Sequence, residues 1–287
     1  MEPYRPRRKD LPPVPPSLLP RPNNRAATAL LPTYLRTGVV HGAAGSAYLE
    51  QDHTKLVCAV YGPRWSRRME YSETGQFACD LKYAPTAQHK RRKRVQADDE
   101  KVASQALTQA LTPAIRLSQY PKSYIEAYVV VLEDDGGVLP AAMTAVSLAL
   151  ADAQVEMFDL LAAASAHIIA APATSPSHHS ILLDCTATEQ QHPTHTASLT
   201  LAYLPATHSY PHLQMHGTLP ATSDDSDWCD TLLAAAVAGC EQLVASMRVA
   251  LRDGMVRKVK ETEAKEALDR ELADSSTAVK VDNGAPV

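Results

Sequence analysis

Lys55-Leu-Val-Cys-Ala-Val-Tyr61, closed by Gly62-Pro-Arg64, is the stretch on which the fold turns. A short apolar run rich in β-forming residues and stopped by a Gly-Pro pair predicts a core strand. Further on, Tyr124-Ile-Glu-Ala-Tyr-Val-Val-Val-Leu132 has the same character and is closed by Asp134-Asp-Gly-Gly137. Between the two, Asp98, Asp99 and Glu100 precede Val102, Leu107, Leu111, Ile115 and Leu117 at mostly helical spacing, with the acids at the end a helix dipole favours. A second helix is expected to start at Pro140 and to run to Ala151, its small side chains suited to close packing on a sheet. Beyond it, Ile181–Asp184, Leu199–Leu204 and His212–His216 predict shorter strands. A long helix follows, opened by polar residues over Ser223–Asp227 and carrying Leu232, Leu233, Ala236, Val237, Cys240, Leu243, Val244 and Met247 on one face. Such an order predicts an α/β (α+β) chain of mixed sheets packed with helices, with two related βα halves.

The 287 residues, 45% of them hydrophobic and 21% charged, are enough for one large or two small domains and exclude a disordered chain. Eight of the 21 prolines fall in the first 25 residues, where they fix φ and remove amide donors. Residues 1–25 therefore read as an extended, basic, proline-rich arm, with ordered structure expected near Leu35. The main domain is placed at 26–255. Residues 256–287 form a charged helical extension, with Glu261 four before Lys265 and Glu266 four before Arg270, that is expected to fray by Ser275. Five cysteines without a CxxC pair, and no apolar leader, fit a reducing compartment. The best candidate for a membrane span, Leu160–Ala171, is interrupted by Ser165 and His167 and stopped by Pro172, so a soluble, intracellular protein with no membrane partner is expected.

The formal net charge of −4 argues against a globally basic nucleic-acid coat, yet it hides a segregation. Residues 1–25 carry +4, residues 64–94 carry +6 and the tail from 256 carries −1, leaving −13 on the rest. A polyanion would therefore be sought at Arg64, Arg67 and Arg68, and at the run Lys90-Arg-Arg-Lys-Arg94. That run has three open readings: a solvated loop, a nuclear localisation signal, or a phosphate-contacting patch. The companion arginines just after the Gly62-Pro63 turn favour polyanion contact, because a strand-end loop could present three guanidinium groups together. With only Trp65 and Tyr71 near by, such contact would be mainly to the RNA backbone and indifferent to sequence.

Other chemistries find little support. His208, His212 and His216 share parity and follow His192 and His195, but the spacing matches no closed zinc pattern and no cysteine accompanies them. There is no G-x-S-x-G, and Gly42 and Gly45 lead into a strand rather than a phosphate-binding helix. Pro-x-x-Pro spacing in the arm (Pro12 to Pro15, Pro13 to Pro16) is common in any proline-rich segment. No metal and no cofactor are expected.

Several segments together resemble the RNase PH family of the RNA exosome: Gly45-Ser-Ala-Tyr-Leu-Glu50, Thr54-Lys-Leu-Val-Cys-Ala-Val-Tyr-Gly-Pro-Arg64, Tyr120-Pro121, Asp135-Gly-Gly137, Ser147–Ala153, Met157 with Asp159, and Leu182-Leu-Asp184. They occur in the family's order over about residues 35–250. The resemblance implies an RNase PH-like fold and a place beside other RNase PH-like exosome subunits in a six-membered hetero-oligomeric ring around an RNA channel. It further implies cap subunits with RNA-binding domains, and a nuclear, nucleolar and cytoplasmic location. Active members hold inorganic phosphate with a Ser-Arg pair after the glycine turn, where this chain has Val138-Leu139. Their two catalytic aspartates match Gln190 and Ser198, and an arginine pair that grips the RNA 3′ end matches Asp98-Asp99. The resemblance therefore implies a ring subunit with no catalytic residues that supports 3′–5′ processing and degradation of ribosomal, messenger and non-coding RNA. An active phosphate-dependent 3′–5′ exoribonuclease is the alternative on the same fold, and a free-standing RNA-binding module is a third reading.

Overall fold

A computed structural model describes residues 21, 25–65, 72–88, 90–93, 95–170, 179–219 and 228–281; of residues 170, 179 and 265–281 it describes the backbone alone. Arg67, Arg68, Tyr71, Arg94, the Ser223–Asp227 cluster and most of the proline-rich arm lie outside the described residues.

The chain begins with an antiparallel meander of β1 (Thr33–Thr37), β2 (Gly45–Gln51) and β3 (Thr54–Trp65), in which β3 contains the strand expected at 55–61. After β4 (Gln76–Tyr83), helix α1 (Asp98–Leu111) carries the chain over to β5 (Ser123–Glu133), which lies antiparallel to β3 and parallel to β4. Two parallel neighbours need a crossover of this length, and the sheet order becomes β1-β2-β3-β5-β4. Helix α1 stops earlier than the apolar spacing suggested. Pro113 has no N–H to continue the ladder, and short 3₁₀ turns at Thr112–Ala114 and Leu117–Gln119 take over.

β4 would present an open edge, but α1 closes it. Glu100, Ser104 and Thr108, one helical turn apart, accept hydrogen bonds from the amides of Tyr83 (3.2 Å), Leu81 (2.9 Å) and Cys79 (3.0 Å). Alternate amides of a strand point outward and i, i+4 side chains share a helix face, so the two periodicities match.

Helix α2 (Val138–Asp152) starts two residues before Pro140, because Gly137 takes the left-handed conformation (φ 63°) that turns the chain into the helix. The helix is buried on almost every side and packs between both sheets, which explains its run of small apolar residues. Ser147 and Thr144 accept from the amides of Leu161 (2.9 Å) and Ala163 (3.1 Å). A Cβ at Gly45 would collide with the α2 backbone at Ala149 and Ala153, so the glycine opening β2 is a packing requirement.

The second half comprises β6 (Ala162–Ala170), β7 (His179–Leu183), the one-turn α3 (Ala187–Gln190), β8 (His195–Leu204) and β9 (Ser209–Gly217), in the order β7-β6-β8-β9. Helix α4 (Trp228–Val281) buries Leu232, Ala236, Cys240, Leu243, Val244 and Met247, the stripe expected from the sequence. Its helical backbone continues past Gly254 and Ser275 to Val281. By length and composition its first part could cross a bilayer. That apolar face is instead laid on β6 and β8.

Candidate nucleic-acid interface

The sequence groups its basic residues into one +6 segment, and the fold separates them. Arg64 and Trp65 end β3, opposite Tyr124 and Ser123 at the start of β5. Residues 84–92 hang from the other end of β5, where Ala84 donates to the Val131 carbonyl (2.8 Å) and Asp134 to the Ala87 carbonyl (3.0 Å). Eight strand residues at ~3.3 Å each put Arg64 and that second segment roughly 25 Å apart.

Arg64 is exposed, its guanidinium 5.2 Å from the centre of the Tyr61 ring, and Tyr61 meets Tyr128 edge-on at 5.9 Å. Lys90, Arg91 and Lys93 are exposed as well. Arg92 is turned inward. Its guanidinium lies 4.2 Å over Tyr83, donates to Gln88 Oε1 at 2.8 Å and pairs with buried Glu100 at 3.7 Å. Arg92 thus serves the fold.

The positions at which active members of the resembled family hold phosphate can be followed individually. The Asp135-Gly-Gly137 turn is tied down by Thr54, whose hydroxyl donates to the Gly136 carbonyl (2.9 Å) and accepts from the Asp135 amide (3.1 Å). Val138 follows in the first turn of α2 and is buried, with Leu139 half-buried beside it. Gln190 reaches the same turn: a Cβ on Gly136 would meet its Nε2 at 3.0 Å, and that amide donates to the Cys185 carbonyl at 3.0 Å. Ser198 is on β8, paired with His167 on one side and His216 on the other. Asp98 and Asp99 stand exposed at the start of α1. Burial pushes the Asp135 carboxyl up, with Asp52 and Asp134 adding repulsion against a partly offsetting His53. In this chain the turn thus carries an amide, aliphatic side chains and a carboxyl group whose proton affinity burial raises.

The sequence pattern of the 3′ exoribonuclease family, domain 1 (RNase PH), matches residues 30–156. The human exosome complex component MTR3 is 39% identical over 197 residues, covering 64% of this chain and 70% of the human protein. The chain belongs to the RNase PH family. Among solved structures, rice Rrp46 superimposes with a TM-score of 0.65 at 22% identity, over 80% of this chain and 99% of the rice one. An Archaeoglobus fulgidus exosome with RNA bound to the active site gives 0.64 at 17% identity, over 78% and 91%. Both establish the RNase PH fold for the described halves.

Within this RNase PH chain, sequence reading missed a buried polar cluster under β7. Arg21, assigned to the arm, is 2% exposed and forms a two-pronged pair with Glu189 at 2.9 and 3.0 Å. It also donates to the Leu183 carbonyl at 2.9 Å, while Arg25 donates to that of Asp184 at 2.7 Å. Proline content excludes helix and inner strand from such a segment, but it leaves side chains free to anchor it. Burial alone would raise the Glu189 carboxyl; the Arg21 hydrogen bonds and charge outweigh it and hold the group below the usual range.

The histidines do not converge as their parity suggested. His208 sits in the turn before β9 with φ 48° and bonds the Tyr203 hydroxyl at 2.8 Å, leaving only His212 and His216 on the strand. His195 Nε2 pairs with His167 Nδ1 at 3.0 Å, and His192 bonds Thr194 at 2.6 Å. Among the described residues, no group of three or more potential ligands is arranged around a metal position.

Proposed function

We propose that this chain is a non-catalytic structural subunit of the RNA exosome core. It pairs with RNase PH-like neighbours in a six-membered hetero-oligomeric ring, under cap subunits with RNA-binding domains, and lines the RNA channel. Processing and degradation of RNA from its 3′ end is then carried out by other members of the assembly. Likeness to human MTR3 supports membership of the complex, and the archaeal exosome with bound RNA supports the ligand. Location in the nucleus, nucleolus and cytoplasm belongs to the same reading.

The observation that carries the non-catalytic part is the phosphate turn: Val138 is buried where an anion-binding side chain is required, with Gln190 rather than a carboxylate against Gly136. Supplying one lost group would leave the others missing. The test incubates a reconstituted ring with oligo(A) and inorganic phosphate. Any release of nucleoside diphosphates is expected to be unaffected by Asp135→Asn or Gln190→Ala in this chain. Release that falls with either substitution identifies an active phosphate-dependent exoribonuclease instead.

RNA contact is assigned to Arg64 at the β3 end, together with Arg67 and Arg68 that follow it in the sequence, and to the basic run Lys90–Arg94. Replacing Arg64, Arg67 and Arg68 by Glu is expected to weaken RNA protection by the ring and to flatten its salt dependence. Unchanged protection in that variant overturns the assignment. A free-standing RNA-binding module would instead purify as a monomer that binds RNA tightly at moderate salt.

A further inference from the structure

At the end of β3, successive residues point to opposite sides of the strand, so Arg64 and Trp65 flank it. Trp65 is 65% exposed. A single exposed apolar side chain is ordinary on a protein surface. What sets this indole apart is the charge held on it: the Lys122 ammonium lies 4.9 Å from the ring centre. The pair has a fixed base. Trp65 is laddered to Ser123, the Lys122 amide donates to the Ser72 carbonyl at 3.1 Å, and Lys122 itself holds the left-handed conformation at φ 53°. Across the strand, Arg64 lies over Tyr61 in a second cation–ring contact.

We propose that Trp65 is a stacking platform for an unpaired base of single-stranded RNA, with Lys122 and Arg64 neutralising the phosphates on either side of that base. A cation held on an indole, in a basic neighbourhood, is the combination with which proteins hold single strands without reading sequence, since every base offers a π-face. The proposal rests on the reading that this end of β3 faces RNA, and it replaces a contact made by arginines alone with one made to the base as well.

The experiment measures binding of labelled oligo(A), and of an oligomer of the same length whose sugars carry no bases, to the reconstituted ring over a series of salt concentrations. Trp65→Ala is expected to weaken oligo(A) binding about tenfold with an unchanged salt slope, while Trp65→Phe keeps most of the affinity. The oligomer without bases is expected to bind the wild type and Trp65→Ala equally, and Lys122→Gln to lower the salt slope by about one. If Trp65→Ala binds oligo(A) as tightly as the wild type while Arg64→Glu still weakens it, the stacking site is wrong and the basic RNA path stands. If neither substitution matters, both fall.

Discussion

Arg21 and Glu189 carry more of the fold than their positions in the chain suggest. The guanidinium and carboxylate are both almost fully buried and meet through two hydrogen bonds, and backbone carbonyls take up the other donors of Arg21. A buried pair of this kind adds modest net stability, but losing one partner strands a charge at a cost of about 3–5 kcal/mol. Arg21→Met and Glu189→Gln should each lower the unfolding free energy measured in urea by an amount of that order, and the double variant should lose less than the two singles combined. His167 makes a second residue-scale case. Burial first, then the neighbouring His195, holds its imidazole down at about 3, and its Nε2 finds no partner among the described residues. Between about pH 6.5 and pH 3 the unfolded chain binds a proton that the folded His167 refuses, so stability rises with pH across that window. The slope is about 1.4 kcal/mol per pH unit for one such group. Urea titrations at pH 7, 6 and 5 should show this acid loss, and His167→Gln should flatten it by about one proton.

At the scale of elements, what the sequence made legible depended on whether one face or two were buried. The β3 and β5 strands and the stripe of α4 were readable because each repeats one period against one environment, and α2, buried on almost every side, was readable from its length of small apolar residues. β6 was not: its alanines lie between helices on both faces, and Ala-Ala-Ala-Ser-Ala has no alternation to betray a strand. β4 does alternate, with Phe77, Cys79 and Leu81 buried, but Asp80 and Lys82 around Leu81 invite counting as charge rather than as pattern. Its closure by α1 is invisible in either segment alone, since Ser104 looks like any helical serine until Leu81 is beside it. Ser104→Ala should therefore leave a buried amide unpaired and cost about 1–3 kcal/mol in chemical denaturation, far more than a helical serine facing water. Amide exchange at Leu81 should accelerate in the same variant, which ties the loss to the sheet edge.

For the whole molecule, the decisive change is the distance between charges that are neighbours in sequence. Segment arithmetic put +6 over residues 64–94, yet β4 runs the length of the sheet between its two halves, so Arg64 and the Lys90–Lys93 group act on different surroundings. Around the second group stand Asp98 and Asp99 on α1 and the Asp134–Asp135 turn, and Arg92 is withdrawn into its pair with Glu100. Screening at physiological salt acts over about 8 Å, so each cluster is felt mainly by the phosphates near it. In a reconstituted ring, reversing Arg64, Arg67 and Arg68 to Glu should weaken oligo(A) binding more than tenfold at moderate salt and lower the salt slope. Reversing Lys90, Arg91 and Lys93 should weaken binding as well but by a smaller factor, because nearby acids offset part of their field. With about 25 Å between Arg64 and the Lys90–Lys93 group, combining the reversals should give the product of the two separate effects. A larger loss from the Lys90 side would route the RNA along the Asp135 turn, and a combined effect far from that product would mean that one stretch of RNA bridges both ends of the sheet.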